Sequence, residues 1–151
     1  MNYSFAAERT LGRLAKWLRL LGYDTVFEME IGAGRLLNEL SPEYILLTRT
    51  ENVRDTCSSH RLIFIESNDL KDQLRQIIRE LGIVLEDIEP FTRCLECNAT
   101  IKQVAKTEIS GQVPDYIWET NEVFQKCPNC KRVYWPGSHM KRSMQRIEEL
   151  F

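Results

Sequence analysis

The sequence predicts an α/β fold in which a small parallel sheet is flanked by helices and followed by a smaller, cysteine-bearing unit. Short apolar segments alternate with stretches of helical periodicity through the first 88 residues, which is the pattern of a parallel sheet. Four of the five cysteines lie beyond residue 90 in two matched pairs. The length of 151 residues accommodates one domain and a small appendage. We therefore expect an α/β domain at residues 1–88 and a second module at residues 89–151.

The first elements are predicted from apolar runs and from the residues that stop them. Residues 3–7 and 23–27 are short apolar segments with strand character. Between them, residues 9–21 carry leucines and an alanine at helical spacing, and Gly22 is a plausible stop. A short helix is predicted over residues 35–40, just before Ser41 and a proline.

The second half of the α/β unit follows the same alternation. Residues 44–48 form a continuous apolar run of the kind found in buried parallel strands. A helix is predicted over residues 51–58 and a fourth strand over residues 62–65. Ser67 or Asn68 is the predicted cap of the next helix, whose apolar residues are Leu70, Leu74, Ile77, Ile78 and Leu81, with Gly82 behind it.

The character of the chain changes near residues 86–90, where turn residues and short β-like pieces replace the alternation. Residues 101–104 and 132–135 are the predicted strands of the second unit. A last amphipathic helix is predicted to follow Ser138. Its apolar face consists of Met140, Met144, Ile147 and Phe151.

Two Cys-x-x-Cys pairs, separated by 29 residues, predict a structural zinc site. Each pair fits a tight turn that directs two thiolates to one point, and two such turns complete a tetrahedral shell. Two disulfides or four unliganded thiols are the alternatives, and the expected reducing location disfavours the first. Cys57 stands apart and is expected to be a small core residue. The predicted ligands are Cys94, Cys97, Cys127 and Cys130.

The net charge of −2 hides an asymmetry along the chain. Residues 1–90 carry 11 basic and 15 acidic side chains, whereas residues 126–146 contain six basic residues and no acid. A local cationic stripe is what phosphate recognition requires, and a solvated surface is the alternative. The stripe consists of Lys126, Lys131, Arg132, Lys141, Arg142 and Arg146.

No apolar run approaches the roughly 18 residues of a membrane span, and residues 1–10 lack the features of a secretory signal. The apolar content of 43% is that of a folded chain. We therefore expect a soluble, cytoplasmic protein without a membrane partner, and the sequence leaves its oligomeric state open.

Acidic residues follow the predicted strands, at the sheet edge where ligands bind in parallel α/β folds. A metal-dependent nuclease would cluster three or four carboxylates there around Mg²⁺ or Mn²⁺, which activates water and stabilises charge on phosphate. Each of these acids is individually compatible with an exposed charge. The candidates are Glu8, Glu28, Glu30 and Glu51.

Three sequence motifs stand out along the chain. They are LGRLAKWLRLLGYDT from Leu11 to Thr25, LLTR ending at Arg49, and CPNCKRVYWPGSH starting at Cys127. Together they resemble the Mut-seven C-terminal RNase domain family. The three motifs occur in the family's order, and the resemblance covers essentially the whole chain. The resemblance implies a PIN-like α/β nuclease fold with a zinc ribbon and a metal-dependent RNase activity.

The acidic centre departs from the pattern that the resemblance implies. Glu8 stands where the family usually has Asp, and residues 30–34 replace an Asp-rich run. In the family's Thr-Arg-Asp-x-Asp motif, both Asp positions are neutral here, as Thr50 and Asn52. Loss of carboxylates weakens a divalent-metal site and its effect on the pKa of bound water.

Two functional hypotheses follow from this mismatch. The first is an RNA- or ribosome-associated protein whose metal centre has diverged and is weak or inactive. The second is an active metal-dependent ribonuclease in which Glu8, Glu30, Glu51 and Asn52 form a diverged site with Mg²⁺ or Mn²⁺. Under either hypothesis the candidate RNA-binding residues are Arg13, Lys16, Arg49, Lys131, Arg132, His139, Lys141 and Arg142, and Arg19 is a further candidate for phosphate contact.

Overall fold

The main sheet contains four parallel strands in the order β2-β1-β3-β4. The computed structural model describes residues 2–31, 40–56 and 60–151. The predicted parallel sheet is confirmed, and its central strands β1 and β3 are flanked by β2 and β4. The strand bounds are Ser4–Ala7 for β1, Asp24–Phe27 for β2, Tyr44–Thr48 for β3 and Leu62–Phe64 for β4. Because the strands are parallel, their carboxyl ends meet at one edge of the sheet.

Helices connect and flank these strands. A 3-10 turn at Arg9–Leu11 leads into α1, and α2 follows β2 directly without having been predicted. The bounds are Gly12–Leu20 for α1, Glu28–Ile31 for α2, Glu51–Thr56 for α3 and Leu70–Leu81 for α4.

The cap of α4 is Asp69, so the predicted caps Ser67 and Asn68 are wrong. The Asp69 carboxylate accepts a hydrogen bond of 3.1 Å from the backbone N–H of Asp72. The Ser67 hydroxyl instead accepts from the N–H of Asp69 and holds the turn that precedes the helix. At the other end, Gly82 adopts φ +65°, as its predicted role as a helix stop requires.

Some predicted features lie outside the described residues. They are most of the helix at residues 35–40, the end of the helix at residues 51–58, and Cys57.

The core of the sheet unit is closed by the last helix, α6, at Ser138–Glu148. Ile147 is fully buried and Leu150 is 8% exposed, and both belong to the cluster that contains β1 and α1 side chains. Phe151, predicted for this face, is 45% exposed. Helical spacing no longer applies there because the helix ends at Glu148, and Leu150 turns inward instead.

A second, antiparallel sheet has the order β5-β6-β7 and occupies the cysteine-bearing unit. The outer strands β5 and β7 fall within the predicted segments, whereas β6 and a short helix, α5, were not predicted. The bounds are Lys102–Val104 for β5, Asp115–Thr120 for α5, Phe124–Lys126 for β6 and Val133–Tyr134 for β7.

Gly22 allows the chain that leaves the sheet unit to pass close to the end of α1. Its φ is +99°, and a Cβ at this position would lie 2.4 Å from the carbonyl oxygen of Glu89. Two backbone hydrogen bonds fix the crossing, from Glu89 to Leu21 and from Phe91 to Leu20, each 3.0 Å. Contacts therefore cross the predicted boundary near residue 88, which itself stays a prediction.

Among the described residues, no helix is long and apolar enough to cross a membrane.

Candidate functional site

Glu8 directly follows β1 and lies at the carboxyl edge of the sheet, beside the end of β3. Its backbone N–H donates to the carbonyl of Leu47 at 3.1 Å, which extends the pairing of the two strands by one residue. The side chain is 5% exposed. An acid this deeply buried requires compensating partners.

Four donors surround the Glu8 carboxylate, two on each oxygen. Oε1 accepts from the Thr10 hydroxyl and from the backbone N–H of Arg49, each at 2.7 Å. Oε2 accepts from the hydroxyls of Thr48 at 2.8 Å and Thr50 at 2.9 Å. We call this group of side chains, with the Arg49 N–H, the Glu8 network.

The Glu8 network holds the carboxylate in its ionised form. Burial alone raises the pKa of Glu8, but the hydrogen bonds from Arg49, Thr10, Thr48 and Thr50 outweigh it and lower the pKa below its ordinary value. Each carboxylate oxygen accepts about two hydrogen bonds, so the acceptor capacity of Glu8 is filled by the protein itself. A cation at this carboxylate would have to displace donors.

Glu30, the second predicted acid, is engaged with Arg19. The guanidinium of Arg19 donates to both Glu30 oxygens, from Nη1 at 3.1 Å and from Nη2 at 2.7 Å. Arg19, a candidate for phosphate contact, is instead 1% exposed. Its place on the inner face of α1 buries the guanidinium, and the bidentate partner compensates the charge.

The remaining acids of the predicted centre lie near its rim. Glu51 and Asn52 open α3 and are exposed, and the Glu28 carboxylate accepts a hydrogen bond from the backbone N–H of Arg9 at 2.8 Å. Within the part of the chain that the structure describes, the carboxylates do not form a group close enough to share an ion.

The four predicted cysteine ligands do converge. Their sulfur atoms all lie within 4.8 Å of one another. The Sγ atom of Cys94 is 3.4 Å from that of Cys97 and 3.6 Å from that of Cys130, and Cys97 is 3.2 Å from Cys127. A tetrahedral zinc ion with Zn–S bonds of about 2.3 Å separates its sulfurs by about 3.8 Å. The donor set and its spacing fit zinc.

The two cysteine turns have the same backbone geometry. Each turn closes with a hydrogen bond to the carbonyl of its first cysteine, from Asn98 to Cys94 at 2.9 Å and from Lys131 to Cys127 at 3.0 Å. Asn98 and Lys131 both have φ +66°, the left-handed conformation that ends each turn. The motif spacing alone predicted the pairs, and the shared turn geometry brings the two cysteines of each pair to one side of the turn.

Polar groups around Cys94 favour its thiolate, the form that binds metal. Burial raises the pKa of this thiol, but the Tyr134 hydroxyl at 3.1 Å and the N–H groups of Cys97 and Glu96 lower it to about 6. The Tyr134 hydroxyl also accepts from the N–H of Leu95 at 3.2 Å. Tyr134 therefore supports the cysteine centre from β7.

The first cysteine turn is attached to the sheet unit by two side chains that sequence reasoning did not single out in this role. Nη1 of Arg19 donates to the carbonyls of Leu95 at 2.9 Å and Glu96 at 3.2 Å. Asn98 accepts from the N–H of Thr25 at 2.9 Å and donates to Asp24 at 2.6 Å. These bonds satisfy polar groups on the edge of β2 that pairs with no other described strand, and they hold the cysteine centre against α1.

The candidate RNA-binding residues of the sheet unit differ in their availability. Arg13 is exposed on α1, whereas Lys16 forms a 3.0 Å ion pair with Glu96. Arg49 is half-buried and donates from Nη1 to the carbonyl of Ile65 at 3.1 Å.

The candidates of the cationic stripe are exposed and lie on the second cysteine turn and on α6. Lys131 donates to the carbonyl of Pro128 at 2.9 Å, which leaves its charge uncompensated. Trp135 is half-buried and packs against the core of the ribbon. Arg132, Lys141 and Arg142 are also exposed, as is the neighbouring candidate His139.

Together these features define a parallel α/β protein with a four-cysteine ribbon attached to its sheet. The family model described as the Mut7-C RNAse domain matches residues 3–147, and the chain belongs to that family. Membership confirms the predicted resemblance and supports an RNA-related role. Comparison with curated proteins and with solved structures gives no match.

Proposed function

We propose that this protein binds RNA and that its acidic centre does not support metal-dependent cleavage. The observation that carries the proposal is the Glu8 network, in which four protein donors occupy both oxygens of the carboxylate at the edge where a nuclease metal would bind. Mg²⁺ sheds its water reluctantly and requires several oxygen ligands. A single carboxylate already filled by hydrogen bonds is a poor site for it.

The positions of the other acids support the same proposal. Glu30 forms a bidentate pair with the buried Arg19, so its negative charge is compensated. The family positions that would add carboxylates are Thr50 and Asn52, and the Thr50 hydroxyl acts as a donor to Glu8. In this reading, hydroxyls and a backbone N–H supply the stabilisation that a cation supplies in an active metal centre.

RNA binding in this proposal depends on exposed lysine and arginine side chains of the ribbon and α6. A structural zinc ion stabilises the ribbon. Lysine and arginine side chains neutralise phosphates and release counterions, so affinity falls as salt rises. The partner is RNA or an RNA–protein assembly such as the ribosome, in the cytoplasm. Lys131 and Arg132 directly follow the second Cys-x-x-Cys pair and are the contacts that we expect to contribute most to RNA affinity.

The cleavage part is tested with the zinc-loaded protein and an end-labelled single-stranded RNA, with and without millimolar Mg²⁺ or Mn²⁺. We expect no metal-dependent products and no metal-dependent increase in melting temperature, because a functional site stabilises the fold by mass action. Efficient Mn²⁺-dependent cleavage that disappears in Glu8→Gln would instead establish an active ribonuclease.

The binding part is tested by fluorescence anisotropy with the same RNA at low and moderate salt. Lys131→Glu with Arg132→Glu should weaken binding and flatten its salt dependence. Arg61→Glu with Arg79→Glu makes the same charge change at exposed positions of the sheet unit and serves as the matched control. Equal affinity of the two double variants at both salt concentrations would exclude the cationic stripe.

A further inference from the structure

A cavity of about 240 Å³ lies where the end of α1, the first cysteine turn, the ribbon sheet and α6 meet. Its walls are largely apolar and include three aromatic side chains, Phe91, Tyr134 and Trp135. Binding sites for drug-sized ligands measure roughly 300–1,000 Å³. A cavity of this size suits a small planar group instead of a whole nucleotide.

Phe91 lines the cavity from a backbone conformation that large side chains rarely adopt. Its φ is +63°, and its N–H is fixed to the carbonyl of Leu20 at 3.0 Å. A bulky residue in the left-handed region costs free energy, and such positions recur at ligand sites. The crossing beside Gly22 holds the aromatic ring at the cavity wall.

The charge around the cavity favours an anionic ligand. None of the described residues that line it is Asp or Glu. Arg93 is among the lining residues. Its guanidinium donates to the carbonyls of Gly22 and Asn98, which are neutral and leave its positive charge uncompensated. Arg142 lies three residues after the lining residue His139 on α6 and is exposed, so one helical turn places a further cation near the rim.

A second, more open cavity of about 600 Å³ shares Tyr134, Trp135 and His139 with the first. Its lining includes Tyr116, whose side chain is 67% exposed, and again no described acid. In the described part of the chain, the Trp135 indole and the His139 imidazole have no hydrogen-bond partner. The two cavities therefore lie next to each other, on either side of these shared residues.

We propose that the smaller cavity binds one unstacked base of a single-stranded RNA, with the backbone of the strand following the open cavity and the rim cations. The inference deepens the proposed RNA binding and rests on it. Aromatic faces stack on bases without strong sequence preference, and nearby arginines bind the adjacent phosphates. The combination of aromatic walls, cationic rim and small volume distinguishes this ligand from an apolar peptide.

The first test uses the natural, zinc-loaded protein and two strands of equal length and phosphate number, one with bases and one abasic throughout. The RNA with bases should bind about tenfold more tightly, because stacking acts in addition to the phosphate contacts. Equal affinity for the two strands would overturn the base site while leaving RNA binding in place. This comparison requires no substitution.

A pair of variants on α6 locates the site. Ser143→Met fills the cavity from a lining position, and Gln145→Met introduces the same side chain at an exposed position outside it. We expect Ser143→Met to lose the preference for the strand with bases, whereas Gln145→Met keeps it. Zinc content and melting temperature show that both variants are folded. A preserved preference in Ser143→Met would place the base elsewhere and overturn the proposal.

If neither strand binds, the proposed RNA binding fails. A titration with adenosine monophosphate then tests on its own whether the cavity binds a base. The titration should shift the indole N–H resonance of Trp135 and leave that of Trp118, which donates to the carbonyl of Lys106, unchanged. An unmoved Trp135 resonance would overturn the base site. Self-association that Ser143→Met abolishes would assign the cavity to a second copy of the chain and would also overturn it.

Discussion

The Thr50 hydroxyl donates a 2.9 Å hydrogen bond to Oε2 of Glu8, 42 residues earlier in the chain. The Thr48 hydroxyl donates to the same oxygen at 2.8 Å. A carboxylate at position 50 would face an ionised Glu8, and the two charges would repel each other without a cation between them. The hydroxyl removes that repulsion and stabilises the buried charge directly.

Glu8→Gln is expected to lower the free energy of unfolding by about 2 kcal/mol at neutral pH, since hydrogen bonds to a buried charge are stronger than neutral ones. The amide nitrogen of the new side chain cannot accept a hydrogen bond, yet it would face two donors. Urea denaturation at pH 7 measures the loss. Glu28→Gln is the matched control, because its carboxylate accepts the N–H of Arg9 and the amide oxygen can replace it.

The loss of stability caused by Glu8→Gln should become smaller as the pH falls. The pKa of Glu8 is lowered by folding, so the folded protein binds fewer protons, and Glu8 stabilises it fully above the ordinary value of 4.5. This stabilisation is lost as the pH falls through the folded pKa. The difference between the natural protein and the variant should therefore shrink at acid pH, and a difference that grows there would contradict the network.

The double substitution Thr50→Asp with Asn52→Asp should lower the melting temperature in the absence of divalent metal. Millimolar Mn²⁺ should restore the melting temperature. The new carboxylates repel Glu8 until a cation binds between them. Thermal denaturation with and without Mn²⁺ checks both halves of the prediction. Adding Glu8→Gln to the pair should reduce the Mn²⁺ response, and a response that is unaffected would place the metal away from Glu8.

Cys94→Ser should abolish binding of one zinc ion per chain and unfold the ribbon. A segment of about 60 residues with a thin core depends on such a cross-link. We expect the helices of the sheet unit to persist with a lower melting temperature, because Asn98 and the carbonyls of the first cysteine turn contact β2 and Arg19.

Elemental analysis and far-UV circular dichroism measure these two effects. Cys57→Ser is the matched control and should retain the metal. Well under one zinc ion per chain in the natural protein, purified without chelator, would contradict the zinc site.

Arg19→Met should destabilise the protein by about 3 kcal/mol, because it leaves the Glu30 carboxylate and three backbone carbonyls without their donor. Release of zinc to a chelator should also become faster, since Arg19 holds the first cysteine turn. Arg13→Met makes the same exchange on the exposed side of α1 and should change stability by less than about 0.5 kcal/mol. Equal stabilities of the two variants would exclude a structural role for Arg19.

Local patterns were sufficient for much of the fold. Apolar runs predicted all four strands of the main sheet, and helical periodicity predicted α1 and α4 to within a few residues. The short elements β6 and α5 escaped because three to six residues do not define a period. The cap of α4 was misassigned because three consecutive residues, Ser67, Asn68 and Asp69, are all good caps, and only their backbone conformation selects one.

The sequence by itself determined the parallel α/β class, the four cysteines that cluster and the family, because periodicity, cysteine spacing and motif order are properties of the chain read in one dimension. Only the tertiary structure decided what the charged residues do. Arg19 and Arg13 occupy the same helix and look alike in sequence, yet one is buried against Glu30 and the other is exposed. Glu8 likewise acquires its four donors from segments up to 42 residues away. The partners of a charge depend on which elements pack together, and no local pattern contains that information.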